Sequence, residues 1–215
     1  MIPPGAPNYL LECNGPAPVA GVDEVGRGPM AGPVVAAAVI LRPSTIPYGL
    51  DDSKTLPSET REKLYTTICA GSDVGVGAAS VHEIDRINIL QATFLAMRRA
   101  VERLSQSPQM VLVDGKQVPP LLHPVQMIVK GDARCLSIAA ASIVAKVVRD
   151  RLMKRLSQRY PNYGWEHNVG YCTPHHRTAL KEHGVTIHHR RSFDPVRRAL
   201  NNPVGNIERQ ASLPH

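Results

Sequence analysis

At 215 residues with 43% apolar content, the chain is long enough for one substantial domain, and its 4% aromatic content leaves the core to Ala, Val, Ile and Leu. The formal net charge of +7 is unevenly placed: residues 142–198 hold 12 Lys or Arg against 4 Asp or Glu, a net of +8 that leaves −1 for the rest. Four scattered cysteines without a CxxC pair argue against a disulfide frame, no basic-then-apolar leader opens the chain, and no apolar run reaches the ~18 residues of a membrane helix, so a soluble cytoplasmic protein with reduced thiols is expected.

Five prolines in residues 1–18 suggest a loose arm, assigned to 1–17. Strand-like runs follow at 19–23 and 33–41, separated by a Gly/Pro-rich connection and closed by Pro43 and Pro47. A helix is expected over 57–69, with Pro57 in its first turn and Leu64 and Ile68 on one face. Residues 73–80 alternate weakly and form a third strand. Ile87, Leu90, Phe94, Met97, Val101 and Leu104 step by three or four residues, which predicts a helix over 87–104 with one apolar stripe packed on the core. Two buried strands are expected at 110–114 and 125–129. A long helix at 137–156 points Ile138, Ala141, Ala145, Val148, Leu152 and Leu156 inward and leaves Lys146, Arg149, Arg151 and Lys154 to solvent. Residues 160–195 are irregular and basic with a short helix near 174–183, and the polar end from Asn201 reads as a frayed tail.

Short links between the first three strands predict an antiparallel meander. The strand reached through the 87–104 helix should lie parallel to its neighbour, by the right-handed crossover rule. The expected fold is α/β, a mixed five-stranded sheet flanked by helices. The divisions are a catalytic domain over 18–158, a basic C-terminal extension over 159–200 and a tail over 201–215.

Four carboxylates stand in marked positions. Asp23 and Glu24 lie in AGVDEVGRGPMAGPV, Asp114 ends MVLVDG and Asp132 sits in VKGDA. Neighbouring buried acids without a partner are costly, so such a cluster implies a cation, and hard divalent ions take oxygen ligands of this kind. Asp23 and Glu24 would face opposite sides of a regular strand, so both can serve one site only if the strand ends there, with Gly26 and Gly28 freeing the backbone to turn. If the strands ending in Asp23 and Asp114 are adjacent, the acids converge at one edge, and Asp132 can join from the next loop. An acidic site beside a basic surface suits a polyanionic substrate and points to a metal-dependent nuclease.

Seven segments in matching order closely resemble bacterial ribonuclease HII, the type 2 ribonuclease H: GVDEVGRGPMAGPV, DDSKTL (51–56), INILQATFLAM (87–97), VDG (113–115), KGDARCLSIAAASIVAKVVRDRLM (130–153), VGYCTPHH (169–176) and HRRSF (189–193). The resemblance implies a ribonuclease H-like fold with a small helical C-terminal extension. It implies Mg²⁺- or Mn²⁺-dependent cleavage of RNA in RNA–DNA hybrids and at single ribonucleotides in duplex DNA. It places the catalytic, metal-holding carboxylates on Asp23, Glu24, Asp114 and Asp132, and substrate contacts on Gly26, Arg27, Gly28, Ser53, Lys54 and Tyr171. Cys172 and Val25 depart from the family pattern.

In-line attack by water on a phosphodiester suits two divalent ions bridged by a shared carboxylate, for which Asp23 is the candidate, and leaves 3′-hydroxyl and 5′-phosphate ends. A monomer suffices, with the replication or transcription machinery as the partner class. Three rivals remain at this stage. Zinc could use Cys172 with His175 among His167, His176, His188 and His189, although the spacing fits no closed template. A non-enzymatic nucleic-acid binder explains the charge but not the acids. A DNA resolvase or transposase keeps the chemistry and changes the substrate.

Overall fold

The computed structural model describes residues 6–201. The arm's residues 1–5 and residues 202–215 of the expected frayed tail lie outside the described residues. The sheet is built from β1 (Val19–Val25), β2 (Val34–Ile40), β3 (Asp73–Ala79), β4 (Met110–Asp114) and β5 (Val125–Ile128), in the order β3-β2-β1-β4-β5. The first three strands pair antiparallel, and β4 lies parallel to β1 and β5 parallel to β4. The meander and the crossover to a parallel neighbour are therefore as expected, and the mixed five-stranded sheet is present.

Helices cover both faces because β2 alternates its small side chains between them. Val34, Ala36 and Ala38 pack toward α3 (Val81–Val101), while Ala37 and Val39 meet α2 (Ser58–Gly71) and α4 (Leu136–Arg159). Close approach depends on absent side chains. A Cβ at Gly75 would lie 2.0 Å from the Ala100 carbonyl oxygen, one at Gly77 2.1 Å from that of Ala96, and one at Gly21 2.2 Å from the Ser137 backbone. The face of α3 against the sheet is accordingly made of Ala92, Ala96 and Ala100, with Thr93, Met97 and Val101 beside them. This corrects the expected stripe: Ile87, Leu90 and Phe94 are only partly covered, because a large side chain cannot enter where helix and glycine strand touch.

The helix also begins earlier than its periodicity indicated. Ser80 caps it by accepting from the Glu83 N–H at 3.2 Å, while the Glu83 carboxylate accepts from the Ser80 N–H at 2.8 Å. Arg99 holds Glu83 on the other side at 2.7 Å and keeps its carboxyl well below the usual range, at about 2. Asn88, at φ 65°, interrupts the helix and caps its second half by accepting from Leu90 N and Gln91 N. Sequence stripes do not register such a break, since both halves keep the same face inward.

Three further expectations are corrected. β5 is an edge strand with only Ile128 buried. Pro57 stands just before α2 rather than inside its first turn. The proposed loose arm is in part docked: α1 (Leu10–Asn14) brings Glu12 into the interior, where its Oε1 accepts from Ser137 N at 2.8 Å and from the Cys135 thiol at 3.1 Å. Burial, reinforced by that carboxylate, pushes the Cys135 thiol up to about 12, so it stays protonated and donates. Glu12 thereby supplies from a distance an acceptor for the first turn of α4, whose capping residue is a cysteine without a side-chain cap bond.

Glu12→Ala should lower stability by roughly 1–3 kcal/mol, the cost of leaving a buried N–H unsatisfied. Urea melts of the two proteins check this, and an unchanged midpoint would show that the contact is dispensable.

Candidate nucleic-acid-cleaving site

β1, β4 and β5 run in the same direction, so their C-terminal ends share one edge of the sheet. The last registered pair of β1 and β4 is Val22 with Val113, which sets Asp23 and Asp114 side by side one residue further on. Asp114 Oδ1 accepts from Gly131 N at 2.7 Å and so ties the end of β4 to the loop after β5. In that loop Lys130, at φ 55°, turns the chain into the short 3-10 turn Gly131–Ala133 that carries Asp132. Glu24 is the next residue on β1, and its carboxylate meets Arg27 at 3.5 Å. All four predicted carboxylates thus reach one end of the sheet.

Their electrostatics are mutual. Burial raises Asp23 well above the usual carboxylate range; the negative charges of Glu24, Asp114 and Asp132 add to this, against an N–H bond from Glu24 at 2.7 Å. Glu24 is raised by burial and by Asp114 although Arg27 opposes, and Asp132 by burial, Asp52 and Asp114. Lys54 Nζ stands 3.6 Å from Asp132 and 3.8 Å from Asp52. Burial works against its charge, but Asp52, Asp132, Asp23 and Asp114 together raise its pKa. Among the described residues no three acidic, histidine or cysteine side chains converge closely enough to hold an ion as they stand, with Glu24 beside Arg27 and Asp132 beside Lys54. The donor set nevertheless fits a hard divalent cation, which would relieve the repulsion that raises these groups.

Ser53 is placed differently from the expectation of a substrate contact. Its side chain is buried, and its hydroxyl shares a 2.7 Å bond with Ser142, pinning segment 51–56 to α4. Arg61 adds bonds to the carbonyls of Ser53 and Leu56. Lys54 is left as the exposed member of that turn. Asp52, which accepts from Lys54 N at 2.9 Å and helps raise the pKa of Asp132, was missed; its only sequence signal was the doubled acid in DDSKTL.

The 26–28 loop rests on the C-terminal segment. Gly26 has φ +93° and lies directly over Arg149, where a Cβ would come within 2.1 Å of Nε. Gly28 has no positive φ, so the backbone freedom expected of it is needed only at Gly26. What Gly28 does is admit Tyr171: a Cβ there would meet the ring at 3.4 Å. Tyr171 is 47% exposed, so ring and loop form one surface. Met30 N donates to Gly170 O and Gly32 N to His188 O, each at 2.9 Å, and Ala31 bridges His189.

Arg149 corrects the expectation that it reaches solvent, and Arg190, counted in the +8 of residues 142–198, does not reach it either: both are fully buried, with guanidiniums bonded to main-chain carbonyls. Arg191 beside it is exposed. His176 and His189 are likewise structural: His176 Nδ1 donates to Tyr171 O at 2.9 Å, so its Nε2 accepts from Trp165 Nε1 at 3.0 Å. His189 accepts at Nδ1 from Thr186 N and therefore donates from Nε2 to His176. Burial first, then His176 and His188, pulls His189 down to about 3, so this chain is neutral and braces the carbonyl of Tyr171.

The ribonuclease HII family model matches residues 20–196. Ribonuclease HII of Paracoccus denitrificans (strain Pd 1222) is 58% identical over 199 residues, covering 90% of this chain and 95% of that protein. Among solved structures, the ribonuclease H2 of Pyrococcus horikoshii OT3 superposes with a TM-score of 0.75 at 31% identity, over 87% of this chain and 99% of that one. The ribonuclease HII of Archaeoglobus fulgidus, solved in complex with PCNA, superposes with a TM-score of 0.71 at 28% identity, over 81% and 94%. A family model spanning the sheet, its acidic edge and the C-terminal helices, with relatives of this similarity, leaves one conclusion: the chain belongs to the ribonuclease HII family and is a nuclease of the ribonuclease H type.

Proposed function

We propose that the protein hydrolyses the RNA strand of RNA–DNA hybrids and nicks duplex DNA on the 5′ side of single embedded ribonucleotides, leaving 3′-hydroxyl and 5′-phosphate ends. The observation that carries this reading is the meeting at one sheet edge of four carboxylates with the 26–28 loop and Tyr171. Asp23, Glu24, Asp114 and Asp132 would hold Mg²⁺ or Mn²⁺, which when bound supplies charge neutralisation on the phosphate and an acidified water. Arg27 and Lys54, whose side chains are 46% and 76% exposed, would contact the strand's phosphates. Main-chain groups of the loop would approach the 2′-hydroxyl, the group that separates RNA from DNA. Tyr171 would stack on the sugar or base where RNA gives way to DNA. The complex of the Archaeoglobus relative with PCNA supports a partner in the replication machinery, with the protein acting as a cytoplasmic monomer. Among the described residues no helix is long and apolar enough to cross a membrane.

The decisive experiment offers Mg²⁺ or Mn²⁺ with duplexes that differ by one ribonucleotide. The ribonucleotide-containing strand should be nicked and the all-DNA duplex left intact. Asp114→Asn should reduce turnover by at least about 10³-fold at saturating metal, on the scale of removing a group essential to the chemistry. Near-normal turnover by that variant would remove Asp114 from the site.

Stability gives a second readout. Asp23 binds a proton more tightly in the folded chain than in the unfolded one, so metal-free stability should fall as pH rises from about 4 through the raised value. Asp23→Asn should abolish this part of the dependence and stabilise the metal-free fold at neutral pH. Thermal melts in chelator at several pH values check it; a destabilised Asn variant would mean that the carboxylate is not under strain. Tyr171→Ala should slow nicking at a lone ribonucleotide about tenfold more than cleavage within a long RNA tract, on the scale of losing ~1–3 kcal/mol of stacking. Equal losses on both substrates would show that Tyr171 does not read the junction.

A further inference from the structure

Two arginines are fully buried beneath the 26–33 loop, and neither guanidinium is paired with a carboxylate among the described residues. Arg149 donates to the carbonyls of Ala31 at 3.2 Å, Pro33 at 3.1 Å and Val169 at 2.9 Å. Arg190 donates to those of Gly32 at 2.9 Å, Arg27 at 2.8 Å and Gly26 at 2.5 Å. Burying a cation is costly, and a planar fork that satisfies three carbonyls at once is a device that lysine cannot reproduce. Burial lowers Arg149 to about 10 and, with repulsion from Arg149, Arg190 to about 9, so both remain charged at neutral pH.

These bonds have a consequence on the opposite side of the loop. In a trans peptide the C=O and the following N–H point in opposite directions. With the Gly26 carbonyl held inward, the Arg27 N–H turns outward, and with the Arg27 carbonyl held inward, the Gly28 N–H does the same. Neither N–H donates to a main-chain acceptor among the described residues. Successive N–H groups of this kind form a concavity for anions and hydroxyl oxygens. Tyr171, against Gly28, walls one side of it.

We propose that Arg149 and Arg190 are positioning residues that hold the 26–33 loop carbonyls inward, and so aim the N–H groups of Arg27 and Gly28 at the hydroxyl and phosphate of a bound ribonucleotide. The proposal rests on the reading of the site as a ribonucleotide-recognising nuclease, and it explains why charges so near a polyanion-binding surface are withdrawn from it. Arg190 acts through the main chain and touches no substrate atom.

The test uses Arg190→Lys, which keeps the charge and loses the fork, with Arg149→Lys as a second variant. Amide exchange at Arg27 and Gly28 is followed by NMR in chelator, with a duplex containing one ribonucleotide and with the same duplex in all-DNA form. In the wild type the ribonucleotide duplex should slow exchange at both amides severalfold more than the all-DNA duplex. In Arg190→Lys, shown to be folded by its melt and to bind Mn²⁺ as the wild type does, that difference should vanish. Its kcat on the ribonucleotide duplex should fall roughly 10–100-fold with little change in KM, as expected for misplacement of a positioning group. Arg149→Lys should give the same pattern and decides the matter if Arg190→Lys does not fold. Wild-type amides that respond equally to both duplexes would overturn the proposal, as would a folded Arg190→Lys with wild-type kcat and protection. The two readings fail separately: selective protection without cleavage by the wild type refutes the nuclease assignment alone, and cleavage without selective protection refutes the positioning role alone.

Discussion

The parallel pairing of β1 with β4 is the contact on which the functional end of the molecule depends. It sets Val22 against Val113, and so brings Asp23 and Asp114, which are 91 positions apart in sequence, onto neighbouring strand ends. That pairing requires the chain to return through α3, and α3 can lie on the sheet only because Gly75 and Gly77 present no side chain to its alanines. On the other face, Gly21 lets the start of α4 rest on β1 two residues before Asp23. The site is therefore assembled by absences of bulk, and the low aromatic content of the chain is the compositional trace of that design.

A second constraint is electrostatic. Burial and the neighbouring negative charges raise the proton affinity of Asp23, Glu24 and Asp132, which is unfavourable for the metal-free fold and favourable for divalent cations. The lysine and arginine nearest to them, Lys54 and Arg27, offset part of the repulsion from the rim while remaining largely exposed. The positions of these carboxylates and of the exposed cations are linked through these contacts, so substitution of either cation should be felt at the carboxylates.

The C-terminal segment contributes as much to architecture as to charge. A cluster of Trp165, Tyr163, Met153, Leu180 and Val196 meets Met30 and Ala31, and main-chain bonds from residues 170–190 fasten the loop that follows β1. Of the basic residues concentrated there, Arg149 and Arg190 are internal struts, whereas Arg191, Arg197, Arg198 and Lys181 face outward. Net charge therefore overstates the cationic surface by counting struts with contacts.

Much of this was legible in sequence. Strand runs ending in acid, the three-four spacing of apolar residues and the short links of the meander determined element types, their order and the acids that stand at strand ends, because periodicity and breakers act within a few residues of themselves. The resemblance of seven segments in matching order added the family. What sequence could not separate was residues of one chemical type with different surroundings. Arg190 and Arg191 are adjacent and identical, yet one is buried under three carbonyls and the other lies at the surface; Ser53 and Lys54 are neighbours, yet only Lys54 faces out. Glu12 looked like part of a loose arm until α4 supplied an N–H for it to accept. Burial of a charge or hydroxyl is decided by partners that arrive from distant segments, and only the tertiary structure brings them together.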